Sequence, residues 1–220
     1  MLQKPLAVVF CLPGNSFSGK FLECWTNLLA FCLANGIQPI LSRKSSCNIY
    51  YVRNLCLGAD VVRGKNQKPF NGQIDYDYVM WIDSDILFTS QHFVSLLNHN
   101  KDIVSGIYCM EGGEYLATVK DWDEEHFKQN GCFKFMTLKE AEGKKELVPI
   151  SYTGMGFMLV RKGVFERLEY PWFKPIEKQI GDMVDFTMED VGFCLRAKEK
   201  GFGVFIDSGV RVGHEKKVVL

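Results

Sequence analysis

Short apolar runs that alternate with helical patterns constrain the fold of this chain more than any other feature. Residues 6–12 form a continuous apolar run that ends at Pro13-Gly14, as a buried strand of a parallel sheet does. Further strand-like runs follow at 37–41, 78–82, 103–108, 152–160 and 203–207. Apolar side chains at helical spacing lie between them at 19–35, 49–57, 92–97, 163–168 and 189–200. This alternation predicts an α/β protein with a mostly parallel central sheet.

The length and composition of the chain predict a single globular domain. Of its 220 residues 47% are hydrophobic, which is enough for one large core. No internal repeat, low-complexity tract or linker divides it, so one domain over residues 1–220 is expected. Only the stretch 111–149 interrupts the alternation, because it is charged and irregular. We interpret that stretch as an excursion over the mouth of the sheet and, as a hypothesis, as a lid that a bound ligand orders.

Charge and cysteine usage narrow the class of protein. Lys plus Arg and Asp plus Glu both number 26, so the basic stripe typical of nucleic-acid binding is not expected. The sequence predicts no transmembrane segment and no signal peptide. The eight cysteines form no C-x-x-C pair and mostly lie in apolar stretches, which is typical of buried reduced thiols. We therefore expect a soluble protein of the cytoplasm, or of the host cytoplasm if the chain is viral.

Two carboxylates mark the end of one predicted strand. Asp83 and Asp85, separated by Ser84, follow the apolar run 78–82 directly. Open α/β sheets bind ligands at the carboxyl ends of their strands. Two carboxylates spaced i, i+2 on a turn can face one cavity, and such oxygen ligands suit Mg²⁺ or Mn²⁺ bridging a pyrophosphate. The structural alternative is a solvated turn, since Asp and Ser are ordinary turn residues.

A second polar set lies in the last fifth of the sequence. Glu189 and Asp190 open a predicted helix, where the helix dipole favours carboxylates, so helix capping alone accounts for them. His214 follows the last predicted strand, and a lone histidine in such a position is usually a surface residue. As a set, however, these residues can form a metal site: an imidazole and carboxylates can complete a coordination shell whose remaining ligands are phosphate oxygens.

As an ordered set, these residues resemble the GT-A glycosyltransferases. The shared order is the apolar strand with Asp83-Ser84-Asp85, then 154–160, then Glu189-Asp190, then Gly213-His214. The resemblance spans roughly three quarters of the chain and includes small viral and phage enzymes similar to the N-terminal domain of chlorovirus capsid glycosyltransferases. It implies a single Rossmann-like GT-A domain of the hexosyltransferase type. Such a domain moves a sugar from a nucleoside-diphosphate sugar, most often a UDP-sugar, to a glycan or protein-linked sugar acceptor.

The resemblance also implies roles for individual residues. Asp83 would contact the ribose, and Asp85 and His214 would bind Mn²⁺ or Mg²⁺. The other residues implied in nucleotide-sugar binding are Arg53, Asn54, Ser84, Gly154, Met155 and Gly156. If the reaction inverts the anomeric carbon, Asp190 would be the general base, with Glu189 in reserve. If it retains configuration, Asp190 would instead position the sugar or acceptor, and the sequence leaves both outcomes open.

A loop near the N-terminus supports a competing interpretation. Residues Gly14 to Lys20 follow a strand, open a helix and match G-x-x-x-x-G-K, the start of a P-loop. An NTPase or small-molecule kinase is therefore an alternative function. Phe21 stands where a P-loop needs Ser or Thr to bind Mg²⁺, and its helical spacing places it on the buried face. A module that holds a nucleotide sugar without transferring it is a third possibility.

Overall fold

The computed structural model describes residues 4–142 and 146–216. Its strands are β1 (Leu6–Pro13), β2 (Ile37–Lys44), β3 (Tyr78–Ile82), β4 (Ile86–Leu87), β5 (Ile103–Ile107), β6 (Tyr115–Val119), β7 (Phe135–Thr137), β8 (Leu147–Pro149), β9 (Tyr152–Thr153), β10 (Phe157–Arg161), β11 (Glu177–Ile180), β12 (Met183–Phe186), β13 (Val204–Arg211) and β14 (Gly213–His214). Its helices are α1 (Gly19–Ala34), α2 (Ile49–Cys56), α3 (Ser90–Asn98), α4 (Glu124–Asn130), α5 (Leu138–Ala141), α6 (Val164–Arg167) and α7 (Glu189–Glu199).

A central seven-stranded sheet organises the fold, with strand order β2-β1-β3-β10-β5-β13-β8. Strands β2, β1, β3, β5 and β13 run in one direction, whereas β10 and β8 run in the other. The sheet is therefore mostly parallel, and the predicted α/β class is confirmed. The predicted run 152–160 is divided into β9 and β10 by the turn at Gly154–Gly156.

Apolar side chains pack on both faces of this sheet. In β1, Val8 and Phe10 belong to one hydrophobic cluster while Val9 and Cys11 belong to the other, as the period of two in a strand requires. Helices α1 and α3 contribute buried side chains to the first cluster, and α2 and α7 contribute to the second. Because both faces are covered, β1 and β3 are apolar along their whole length.

The stretch 111–149 is more regular than its sequence suggested. It contains β6 and β7, which form a three-stranded sheet with β9, and it also contains α4 and α5. Its last strand, β8, joins the edge of the central sheet antiparallel to β13. These strands are three to five residues long, which is too short for a clear period of two. The stretch still reaches the predicted site edge, because Gly154 N donates to Ala117 O at 2.7 Å.

The sequence also predicted that no segment spans a membrane and that the cysteines are buried, reduced thiols. Among the described residues, no helix has both the length and the apolar character needed to cross a membrane. All eight cysteines carry free thiols, and Cys11, Cys32, Cys56 and Cys194 are buried. Burial raises the pKa of the Cys194 thiol to about 12, as expected for a thiol that packs in a core.

Candidate active site

The Asp83-Ser84-Asp85 turn lies at the carboxyl edge of the central sheet, against two other loops. The Asp83 backbone N–H donates to Gly156 O at 3.0 Å, which ties the turn to the loop before β10. On its other side the turn meets the end of β1. A Cβ placed on Gly14, whose φ is +146°, would lie 2.9 Å from Ser84 Cβ. Glycine at position 14 therefore allows the 14–20 loop to approach the turn closely.

A buried arginine joins the two carboxylate motifs that the sequence keeps far apart. Arg53 donates from Nη1 and Nη2 to the two carboxylate oxygens of Asp83, at 2.8 and 3.0 Å. Its Nε donates to Glu189 Oε1 at 3.1 Å. The Arg53 guanidinium also lies over the Trp81 ring, 5.4 Å from the centroid. This bidentate pairing fixes the orientation of the Asp83 carboxylate.

The charge balance around Arg53 keeps it ionised. Burial alone would lower the pKa of Arg53, but Asp83 and Glu189 raise it above its ordinary value. Only 2% of Arg53 is exposed, so its part in the site is to hold Asp83 rather than to touch a ligand. Asp83 uses one lone pair on each oxygen for Arg53, which leaves acceptor capacity for hydroxyl groups of a ligand.

Two residues of the predicted donor site are engaged inside the protein. Asn54 Nδ2 donates to the carbonyl oxygens of Tyr50 and Phe173, both at 2.7 Å. Asn54 Oδ1 accepts from Trp172 N at 2.9 Å and Phe173 N at 3.3 Å. The Asn54 amide thus has no hydrogen-bonding capacity left for a nucleotide. Met155 is 1% exposed and packs in the core, so only its backbone borders the site.

Asp85 and His214 are brought together by a pairing of two-residue strands. β14 pairs antiparallel with β4, with His214 opposite Ile86, and Glu215 N donates to Asp85 O at 2.7 Å. His214 Nε2 consequently lies 3.0 Å from Asp85 Oδ2. Burial would raise the pKa of Asp85, but His214 and Lys216 lower it below its ordinary value, whereas Asp85 raises the pKa of His214.

The donor set of this pair fits a divalent cation. His214 Nδ1 lies 2.7 Å from Cys109 O, and the N–H must be on Nδ1 because a carbonyl only accepts. In the neutral ring Nε2 then carries a lone pair that faces the Asp85 carboxylate, an arrangement that a shared cation stabilises. In this structure the shared cation is the Lys216 ammonium, whose Nζ lies 2.7 Å from His214 Nε2 and 3.3 Å from Asp85 Oδ2, so a metal ion bound at Nε2 would displace it.

The protein supplies only part of a complete coordination shell. Over residues 4–142 and 146–216, no group of three or more His, Cys, Asp or Glu side chains converges to hold a metal. A metal held by Asp85 and His214 would take its other ligands from phosphate oxygens and water, as Mg²⁺ usually does. The sequence interpretation did not assign Lys216 to the site. Its position two residues after His214, on an extended segment, is the signal that could have placed it there.

Asp190 differs from its neighbour Glu189 in its freedom to react. Glu189 is 5% exposed and paired with Arg53, whereas Asp190 is partly exposed and accepts from Val191 N at 2.7 Å. Burial and the negative charge of Glu189 raise the pKa of Asp190 to about 7, against the opposing effect of Arg53. A carboxyl with that pKa can take up a proton near neutral pH.

Two glycines in the Gly154–Gly156 loop make room for Tyr108. A Cβ on Gly154 would lie 2.1 Å from the Tyr108 hydroxyl oxygen and 3.1 Å from Ala117 Cβ. A Cβ on Gly156 would lie 2.9 Å from two Tyr108 ring carbons. The Tyr108 hydroxyl accepts from Gly156 N at 3.1 Å, and its ring centroid is 5.1 Å from that of His214. The glycines thus seat an aromatic side chain between the loop and His214.

Replacing Gly154 with Ala is expected to lower the free energy of unfolding by about 1–3 kcal/mol, because the Tyr108 ring must move. Urea unfolding measures the change. Adding Tyr108→Phe, which removes the nearest atom, should recover part of the loss. Gly19→Ala is the matched control, since nothing lies within 4 Å of a Cβ there. A Gly154→Ala protein as stable as wild type would contradict this account of the loop.

The P-loop alternative lacks its metal ligand. Ser18 caps α1 by accepting from Phe21 N at 3.0 Å, which is an ordinary helix start. Phe21 is 2% exposed and packs against Phe17 and Phe88, with centroids 4.7 and 5.8 Å away. The position that binds Mg²⁺ in a P-loop is therefore an aromatic core residue, as its spacing predicted. Its neighbour Leu22 is 61% exposed, on a different side of the helix start.

The sheet order and the edge position of the acidic turn define a domain with the GT-A fold of nucleotide-sugar glycosyltransferases. Neither a protein-family model nor a curated protein sequence matches the chain. Solved structures do match it. A197 from STIV is similar over 98% of this chain and 97% of its own, at 15% identity and a TM-score of 0.53.

Two further structures extend the comparison. GalNAc-T7, crystallised with UDP, GalNAc and Mn²⁺, is similar over 98% of this chain, at 12% identity and a TM-score of 0.53. This chain spans only 45% of the GalNAc-T7 chain. A glycosyltransferase involved in glycosylation of the major capsid of PBCV-1 is similar over 76% of this chain and 69% of its own, at 11% identity and a TM-score of 0.35. At these identities the likeness concerns the fold alone. The assignment of the fold rests on A197 and GalNAc-T7, whose TM-scores are both 0.53.

Proposed function

We propose that this chain is a glycosyltransferase that moves a sugar from a nucleoside-diphosphate sugar, with UDP as the nucleotide, to a hydroxyl group of a glycan or protein-linked sugar. The observation that carries this proposal is the convergence of three acidic groups at one sheet edge. Asp83 is held by Arg53, Asp85 pairs with His214, and Asp190 lies beside Glu189. The presence of UDP and Mn²⁺ in the GalNAc-T7 crystal supports the choice of nucleotide and metal.

Each residue has a separate task in this proposal. Asp83 accepts hydrogen bonds from the ribose hydroxyls, and its bidentate pairing with Arg53 keeps both oxygens oriented. Asp85 and His214 hold Mn²⁺ or Mg²⁺, which when bound offsets charge on the leaving diphosphate. Lys216, which the metal would displace from His214 Nε2, would then offer a second positive charge to the phosphates. Ser84 and the backbone of Gly154, Met155 and Gly156 border the sugar, while Asn54 supports the site from within.

The chemical step in this proposal inverts the anomeric carbon. The acceptor hydroxyl oxygen forms a bond to that carbon, and the bond from the carbon to the diphosphate oxygen breaks. The departing electron pair stays on the nucleoside diphosphate, and the hydroxyl proton passes to Asp190. A carboxyl with its pKa raised to about 7 is matched to this role, whereas Glu189 is engaged by Arg53 and serves to position it.

Calorimetric titration tests the proposal. The ligands are UDP, GDP, UDP-glucose, ATP and GTP, each titrated with Mn²⁺ and again with a chelator. We expect manganese-dependent binding of UDP or its sugar, and weak binding of ATP and GTP. Tight UDP-sugar binding without transfer or hydrolysis would favour the non-catalytic module. Preference for ATP or GTP would contradict the proposal and favour the 14–20 loop.

Replacing Lys20 with Ala separates the glycosyltransferase from the P-loop alternative. Lys20 is exposed at the start of α1, and the proposed binding mode assigns it no contact with the phosphates. We expect the dissociation constant for UDP to change by no more than about twofold, as for most surface substitutions. Calorimetry under the same conditions measures it. Loss of nucleotide binding in this variant would show that the nucleotide binds at the 14–20 loop, as in a P-loop protein.

A further inference from the structure

A cavity of about 190 Å³ opens beside the first turn of α7. Thr187, Met188 and Val191, which flank Glu189 and Asp190 in the sequence, form one wall. The rest of the lining comes from the 111–149 stretch, from Tyr152 and from the β11–β12 hairpin. The cavity therefore borders the helix turn that carries Asp190, although the Asp190 side chain is not part of its wall, and no step of the proposed donor binding uses the cavity.

The Tyr152 side chain brings a hydroxyl group to this cavity. Tyr152 lines the cavity and is 7% exposed, yet within residues 4–142 and 146–216 its hydroxyl makes no hydrogen bond. The oxygen itself is not fully buried, because Trp81 Nε1 is the one buried side-chain N or O atom without a partner in the described part of the chain. Burial, and then the negative charge of Asp190, raise the pKa of the Tyr152 phenol. A ligand hydroxyl in the cavity would satisfy the phenol.

The cavity combines an aromatic wall with a few polar groups. Trp122 and Phe133 pack with ring centroids 4.0 Å apart, and Lys178 Nζ lies 5.9 Å from the Trp122 centroid. Phe186 lines the cavity while 64% of it is exposed, and Asp185 lies beside it. Apolar walls with a few placed polar groups are typical of small-molecule sites. A pyranose matches this chemistry, because it has an apolar C–H face and an edge of hydroxyls.

Given the proposed function, on which this inference rests, we propose that the cavity binds one pyranose unit of the acceptor, with the reacting hydroxyl directed to Asp190. The apolar face of the sugar packs on the aromatic wall formed by Trp122 and Phe186. The Tyr152 hydroxyl, Lys178 and Asp185 bind its hydroxyl edge. The limited volume of the cavity favours a single ring over a long acyl chain.

Saturation-transfer NMR tests this inference. The probes are the methyl α- and β-pyranosides of glucose, galactose and mannose, each added in the presence of UDP and Mg²⁺. We expect at least one glycoside to bind. Tyr152→Phe should weaken its binding by roughly 2–10-fold, the effect of one lost neutral hydrogen bond. Phe186→Ala should weaken it by about tenfold through loss of aromatic contact. Val184→Ala is the matched control, because Val184 is 66% exposed on the same hairpin and does not line the cavity.

The controls separate failure of this inference from failure of the proposed function. Tyr152→Phe removes an oxygen that makes no hydrogen bond within the described part of the chain, and Phe186 is largely exposed, so both variants should unfold at the wild-type temperature. If UDP binds and none of the glycosides does, the acceptor inference is overturned and the donor site stands. Equal weakening by Val184→Ala and Phe186→Ala would also overturn it. Absence of UDP binding would reject the proposed function itself.

Discussion

Replacing Asp190 with Asn is expected to slow sugar transfer by about 10²–10⁴-fold, the usual contribution of a general base, while UDP binding stays near the wild-type value. The amide cannot accept the acceptor proton, but its oxygen can still accept from Val191 N, so the start of α7 is preserved. Transfer from the donor that binds best in calorimetry, followed as release of nucleoside diphosphate, measures the rate. Loss of UDP binding in this variant would show that Asp190 belongs to the donor site.

The adjacent carboxylate provides a matched control. Glu189→Gln removes the negative charge that pairs with buried Arg53 at 3.1 Å, so we expect a lower unfolding temperature and a disturbed Asp83. Asp190→Asn should not destabilise the protein in this way. Rates that fall equally in both variants, with equal loss of stability, would contradict separate roles for the two residues.

The dependence of transfer on pH follows from the raised pKa of Asp190. At saturating metal, kcat/KM should rise with pH up to about 7, where Asp190 loses its proton, and then level off. Asp190→Asn should lack that ascending limb. The sign for stability is opposite: because folding raises this pKa, the group stabilises the fold most at low pH, and that contribution is lost as pH rises through about 7.

Replacing Asp85 or His214 with Ala is expected to weaken manganese-dependent UDP binding by at least about 10–100-fold, the range measured for residues that only support metal ligands. The metal-independent part of the affinity, measured with a chelator, should change little. His214 is also fixed by Cys109 O at 2.7 Å, so its loss removes a ligand that is already oriented. Titration of Mn²⁺ and of UDP by calorimetry separates the two effects.

Asp75→Ala is the control for a carboxylate that has ion pairs but no place in the site. Asp75 pairs with Lys4 and Lys162 before β3 begins, at the opposite edge of the sheet, and is 68% exposed. Its UDP affinity should equal that of wild type. Manganese-dependent UDP binding that survives in both Asp85→Ala and His214→Ala would show that the metal, if used, lies elsewhere.

Much of the fold could be predicted because burial on both faces of a sheet leaves a strong sequence signal. The apolar runs at 6–12 and 78–82 became β1 and β3, and the helical pattern at 49–57 became α2. The reversed direction of β10 could not be predicted, because a period of two records which faces are buried and not which way a strand runs. Two-residue strands such as β4 and β14 carry no periodicity at all.

The candidate site divides in the same way. The acidic turn at 83–85, the pair Glu189-Asp190 and His214 were identified as a set from residue type, spacing and resemblance, and their individual roles stay predictions. Three features were not foreseen: the engagement of Asn54 by the backbone, the place of Lys216 beside His214 and the cavity around Tyr152. The engagement of Asn54 depends on a contact between segments 119 residues apart, and the cavity depends on loops with no regular pattern. Only Lys216, two residues after His214, left a signal in the sequence.

By itself, the sequence determined that an α/β sheet forms and that carboxylates gather at the carboxyl ends of its strands, because local apolar periodicity and chain order contain that information. The tertiary structure alone decided which carboxylate is free. Arg53 engages both Asp83 and Glu189, and the β4–β14 ladder brings His214 to Asp85, leaving Asp190 without an ion pair among the described residues. Such pairings are set by packing of distant segments, which no local pattern encodes.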